Sequence, residues 1–196
     1  MEYRVTPTEL PGVVVIDTDF FRDERGFFIE AWHRQRFAAL GLDFEVVQDN
    51  HSRSGRGVLR GIHWQDWSAP LGKLVRCTAG AIFDVAVDLR VGSPSFGRWT
   101  SVELSAANMR QVWVPPGFGH AFLALAEGSE VQYKCTGYYT PSAEGCLRWD
   151  DAEVGIEWPQ REVIVSAKDA GGMSLAEYRA RPAFPEGWEE RARGRR

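Results

Sequence analysis

One histidine stands in an otherwise apolar strand and could do chemistry. In Arg60-Gly61-Ile62-His63-Trp64-Gln65 a single titratable ring sits among Ile and Trp. An imidazole titrates near neutral pH, so it can both take and return a proton. His63 alone fits two descriptions, a hydrogen-bonded core residue or a general base facing a cavity. Ideal alternation sends Arg60 and His63 to opposite faces, whereas a bulge at Gly61 would bring both to one face. Tyr133, in Val131-Gln132-Tyr133-Lys134-Cys135, shares a face with Val131 and Cys135. A phenol with an ordinary pKa of about 10 stays protonated at neutral pH. Tyr133 therefore fits either a satisfied core tyrosine or a proton donor. A base histidine also needs a carboxylate that fixes its tautomer and raises its basicity. Asp169 can supply one, although Ser166-Ala167-Lys168-Asp169 read alone is an ordinary polar turn.

Pro115-Pro116-Gly117-Phe118-Gly119-His120 is a glycine-rich turn with a histidine at the mouth of a strand. It resembles the second motif of the cupin barrels. Where the first cupin motif carries a pair of histidines, this chain has His63-Trp64-Gln65, with one imidazole. The histidines are His33, His51, His63 and His120. His63 and His120 alone fall short of the ligand set of a catalytic metal. Cys77, Cys135 and Cys146 form no CxxC and are too scattered for a disulfide framework. No metal is expected.

The elements that must position these groups read mostly as strands. Val13–Ile16, 26–32, 44–48, 57–65, 73–78, 81–90, 98–104, 111–114, 121–125 and 131–136 are strand candidates, parted by Ala79-Gly80, Gly92-Ser93-Pro94 and Glu127-Gly128-Ser129. Short strands at such spacing indicate an antiparallel sandwich or barrel. In 81–90 one row holds Phe83, Val85, Val87 and Leu89, and the other Ile82, Asp84, Ala86, Asp88 and Arg90. The first row belongs to a core and the second to water or a polar lumen. Residues 33–40 read as a helix ended by Gly41, and 174–180 as a helix with a Ser174–Glu177 capping box.

The 196 residues carry a net charge of −4, which argues against a nucleic-acid partner held by a broad basic face. No run approaches the roughly 20 apolar residues of a membrane span, and Met1 to Pro11 has no apolar core of signal-peptide length. A cytoplasmic protein is expected, with one domain over 1–183 and a charged, solvated tail over 184–196.

Ten stretches, in order over about residues 12 to 175, resemble the dTDP-4-dehydrorhamnose 3,5-epimerase family. They are Asp23 to Glu30, Gln48 to Ser52, Gly57 to His63, Gly72 to Cys77, Asp84 to Arg90, Gly92-Ser93-Pro94, Val114 to Phe118, Tyr133 to Tyr139, Trp149-Asp150-Asp151 and Ser166 to Asp169. Each is weak alone; together they are specific. Departures are Trp64 where tyrosine is frequent, Gly119 and Ala121 around His120, and the loop 66–70. They bear on sugar specificity more than on chemistry.

The resemblance implies an all-β fold, an antiparallel jelly-roll or cupin-like β-barrel with a few short helices. It implies epimerisation beside the C4 ketone of a dTDP-linked 4-keto-6-deoxysugar, without a cofactor. His63 matches the base with Asp169, Tyr133 the acid, and Lys73 the cation that stabilises the enolate. Arg60, Lys168 and Gln48 match phosphate or nucleotide contacts, and Tyr139, or failing it Tyr138, a thymine stack. Asn50, His120 and Glu144 match further substrate contacts. The resemblance also implies a homodimer with exchanged N-terminal strands, in which Arg25, Phe27 and Glu30 act on the neighbouring subunit's ligand. Asp84 either supports the dyad or satisfies a neighbour. The rival readings are a one-centre 3- or 5-epimerase, a metal-dependent cupin, and a non-catalytic nucleotide-sugar binder.

Overall fold

The computed structural model describes residues 1–193. Two antiparallel sheets face each other. The first runs β1 (Tyr3–Pro7), β2 (Val14–Thr18), β10 (Gln111–Val114), β7 (Lys73–Ala79), β12 (Ser129–Cys135), β5 (Gln48–Ser54). The second runs β13 (Glu144–Cys146), β6 (Leu59–Gln65), β11 (Phe118–Ala124), β8 (Ala81–Asp88), β9 (Trp99–Ser105). A hairpin of β3 (Phe21–Asp23) and β4 (Gly26–Phe28) stands apart from both. The short helices are α1 (Arg34–Ala39), α2 (Ala167–Ala170), α3 (Leu175–Ala180) and α4 (Trp188–Arg193). This is the jelly-roll architecture of the cupin-like barrels.

Three layers of apolar packing hold it. Val75, Val112 and Val131 of the first sheet meet Ala86, Phe118 and Phe122 of the second between the sheets. The other side of the first sheet packs Leu74 and Trp113 against Phe37 of α1. The other side of the second sheet packs Ile62, Trp64, Val85 and Val87 against Tyr178, Phe184 and Trp188. Both rows of β8 are therefore buried. Asp84 and Asp88, expected to meet water or a polar lumen, are 1% and 0% exposed. Asp88 survives there because Arg90, Ser93 and Ser95 all donate to it.

The solvated tail is a correction. Phe184 is 1% and Trp188 7% exposed, and the Phe184 amide donates to the Tyr178 hydroxyl, which donates to the Leu89 carbonyl. Two large apolar side chains in a charged stretch are enough to dock it on the core. Residues 194–196 of that tail lie outside the described residues.

Gly61 carries the bulge that the sequence suggested. His63 stands opposite His120 and Arg60 opposite Phe122, so two residues of β6 face the single Ala121. His120 and Phe122 share a face, and therefore so do Arg60 and His63. Gly61 has φ +117°, and a Cβ there would lie 2.6 Å from the Ala121 Cβ and 2.6 Å from the His120 carbonyl oxygen. Only glycine fits.

Candidate active site

β6, β7, β12 and β5 deliver one pocket. Gln48 and Asn50 of β5, His63 and Gln65 of β6, Lys73 of β7, Tyr133 and Cys135 of β12, and Tyr139 and Glu144 beyond it line about 120 Å³. That is small beside the roughly 300–1,000 Å³ of clefts that bury a drug-sized ligand. A ligand the size of a nucleotide sugar must therefore leave part of itself on the rim.

His63 and Asp169 meet although 106 residues part them. Nε2 of His63 and Oδ1 of Asp169 are 2.7 Å apart. A carboxylate accepts, so Nε2 donates and Nδ1 keeps the lone pair. Asp169 is held by its neighbours. The Gly61 amide donates to its other oxygen at 3.3 Å, and its own amide is capped by Ser166 Oγ at 3.1 Å. The polar turn expected at Ser166 is thus the N-cap of α2. Burial holds the His63 imidazole below its ordinary pKa, against the opposing pull of Asp169. The ring is neutral at pH 7, the state a base needs.

Tyr133 sits beside Lys73, whose ammonium is 5.8 Å from the ring centre. Burial pushes the phenol above its ordinary range, with a hydrogen bond from Asn50 opposing, so the phenol keeps its proton at neutral pH. Burial lowers Lys73, with Cys135, Asp84 and Glu144 opposing.

Glu144 ties the rim. It accepts from the Tyr139 hydroxyl at 2.8 Å and pairs with Lys168 at 2.5 Å. Burial acts to raise Glu144, and Lys168 and Tyr139 bring it below its ordinary value. Gln48 accepts from the Tyr139 amide at 3.0 Å. Tyr138, 70% exposed, does not line the pocket. Arg60 shares the inward face with His63, and its Nε donates to Ser54 Oγ at 3.1 Å.

The remaining expected residues lie elsewhere. His120 is buried directly across the ladder from His63, outside the pocket lining, and pairs with Asp84 at 2.9 Å. Asp84 therefore satisfies a neighbour and does not touch the His63 dyad. Arg25 and Phe27 are exposed on the β3–β4 hairpin, where Arg25 pairs with Asp23. Glu30 accepts from the Tyr3 hydroxyl and pairs with Arg36. None of these three lines this pocket.

Gln65 escaped the sequence reading. Its amide donates to the Ala69 and Tyr138 carbonyls and accepts from the Thr140 amide at 2.6 Å, which clamps the loop bearing Tyr139. Its place two residues after His63 was the available signal, since the two share a face. Trp64, a departure from the family pattern, lies against Gly145, where a Cβ would come within 2.4 Å of the indole. Cys146 also escaped. It pairs directly with His63 across β13 and β6. Burial raises its thiol to about 12, so it is no nucleophile at neutral pH.

Among the described residues no helix is long and apolar enough to cross a membrane. The family model for dTDP-4-dehydrorhamnose 3,5-epimerase matches residues 7–177. A relative of that name from Salmonella typhimurium is 51% identical over 173 residues, 87% of this chain and 94% of the relative. A solved dTDP-6-deoxy-D-glucose-3,5-epimerase from Legionella pneumophila, in complex with dTDP-4-keto-L-rhamnose, superposes with a TM-score of 0.89 at 42% identity, over 94% of this chain and 98% of that one. A 3'-monoepimerase from Streptomyces bikiniensis, in complex with dTDP-quinovose, gives 0.89 at 34% identity, over 96% and 97%. The chain belongs to the dTDP-4-dehydrorhamnose 3,5-epimerase family.

Proposed function

We propose that this protein epimerises dTDP-4-dehydro-6-deoxy-D-glucose at C3 and C5, giving dTDP-4-dehydro-L-rhamnose for deoxysugar biosynthesis. One observation carries the reading. A carboxylate-bound imidazole opens on the same pocket as a protonated phenol and an ammonium. A C4 ketone acidifies the C–H bonds on either side of it. His63 removes such a proton through Nδ1, and Asp169 stabilises the imidazolium that forms. Lys73 offsets the charge that develops on the C4 oxygen. Tyr133 returns a proton on the opposite face, which inverts the centre. The substrate keeps its oxidation level throughout, so the reaction calls for no redox cofactor.

We assign the sugar to the enclosed part of the pocket and the nucleotide to its rim. Arg60, Lys168, Gln48 and Asn50 would contact the diphosphate and nucleotide, Tyr139 would stack on thymine, and Glu144 and His120 would support the sugar side. Arginine suits phosphate because its planar fork donates two hydrogen bonds. We take the epimerase unit to extend from residue 1 through Trp188.

The two-centre reading is preferred over a single-centre one because the matching family model and the 51% identical Salmonella relative both carry the 3,5-epimerase name. Incubation with the substrate in deuterium oxide tests it by NMR. Deuterium is expected at both C3 and C5, in a product with both centres inverted. Label and inversion at one carbon alone would make the enzyme a monoepimerase.

We also propose a homodimer in which β3–β4 reaches the partner, so that Arg25, Phe27 and Glu30 serve the neighbouring site. The hairpin exposes Phe21, Phe27 and Phe28 at 65%, 56% and 65%, an apolar cluster that a lone subunit would leave in water. Light scattering is expected to give twice the chain mass; a monomer would remove this assembly. The chain carries a net charge of −4, and no nucleic-acid or membrane partner is proposed.

A further inference from the structure

We propose that His63, Cys146 and Asp169 form a zinc-binding site, through which zinc switches off the base. The donor atoms of the three side chains all lie within 4.8 Å of one another. Each belongs to a different segment, β6, β13 and α2. The ladder sets Cys146 directly opposite His63, and Asp169 closes the third side through its bond to the same imidazole.

Zinc takes thiolate at about 2.3 Å and imidazole or carboxylate at about 2.0–2.2 Å, which separates tetrahedral donors by roughly 3.3–3.6 Å. The present 2.7 Å contact between His63 and Asp169 is a hydrogen bond. It opens by roughly 0.6 Å to admit the ion between the two groups. Three protein donors leave the fourth position to water, on the pocket side where Glu144 is the next inward residue of β13.

Charge favours the ion. One thiolate and one carboxylate cancel the two positive charges of zinc, and Glu144 adds a further negative group nearby. Lys73 and Lys168 oppose it, since both act electrostatically on His63. Binding releases the Cys146 thiol proton to water and moves the hydrogen that His63 shares with Asp169 from Nε2 to Nδ1, so that Nε2 holds the ion and the imidazole stays neutral. The imidazole then has no lone pair free for a sugar proton. Inhibition, unlike binding, rests on His63 being the base.

Calorimetric titration of the metal-free enzyme with zinc chloride tests the site. One ion per chain is expected in the wild type. Cys146→Ser is expected to weaken binding by at least about 100-fold, the upper end of what loss of a mere supporting group costs. Cys135→Ser, which removes the other thiol of the pocket, is expected to bind zinc as the wild type does. With cobalt(II) as probe, a thiolate charge-transfer band should appear in the wild type and vanish in Cys146→Ser. Because Cys146 takes no part in the proposed reaction, its serine variant should keep turnover and lose sensitivity to zinc. No saturable zinc binding, or equal binding by Cys146→Ser, overturns the site. Zinc bound through Cys146 with turnover intact upholds the site and removes His63 from the reaction.

Discussion

His63→Ala is expected to lower kcat by about 10²–10⁴-fold while the protein stays folded, the range that a positioned general base supplies. The fold should persist because the ring lies at the pocket wall, outside the three apolar layers, with its side chain 26% exposed. Truncation therefore enlarges an existing opening and leaves no sealed cavity. Thermal unfolding measured beside steady-state kinetics separates the two effects. Full activity in this variant would refute the role of His63 as base. The pH profile adds an independent sign. Burial lowers the imidazole pKa, so the neutral form that a base needs predominates at pH 7 and is lost as the pH falls through that depressed value. The acid limb of kcat/KM should therefore lie below the ordinary imidazole value of about 6.5. A limb above that value would contradict the assignment.

Tyr133→Phe should uncouple exchange from inversion. His63 still removes the proton, but nothing on the far side returns one. Solvent deuterium is then expected to enter the sugar while inverted product falls by about 10²-fold or more, the lower end for a general acid. NMR of the sugar after incubation in deuterium oxide reads both quantities at once. Wild-type inversion rates would remove Tyr133 from the reaction. The phenol is raised by burial and Lys73 is lowered by it.

Local signals were readable from the sequence and long-range ones mostly were not. The capping box of α3 is present as read, because Ser174 and Glu177 need only each other and their own backbone. The Gly61 bulge followed from one glycine between two polar residues of a strand. Strand β5 was placed too early, at 44–48, because its observed span Gln48–Ser54 is almost wholly polar. It forms because its backbone pairs along the whole of β12. Residues 29–32, read as strand, lie outside β4, which ends at Phe28. Phe184 and Trp188 were hidden by the charges around them. In the site, His63, Tyr133, Lys73 and Asp169 were identified by family pattern. Bottom-up reading of each alone left a core explanation open, since no spacing rule joins residues 106 apart. Cys146 was missed for the same reason, because only strand pairing sets it against His63. Asp84 resolved to His120 on the neighbouring strand.

The position of α2 in the chain has a consequence for synthesis. Among the described residues every strand precedes it, so the strands are translated before the carboxylate that binds His63. A chain halted short of Asp169 holds His63 without its acceptor. The proposed dyad is thus completed by one of the last segments to be translated.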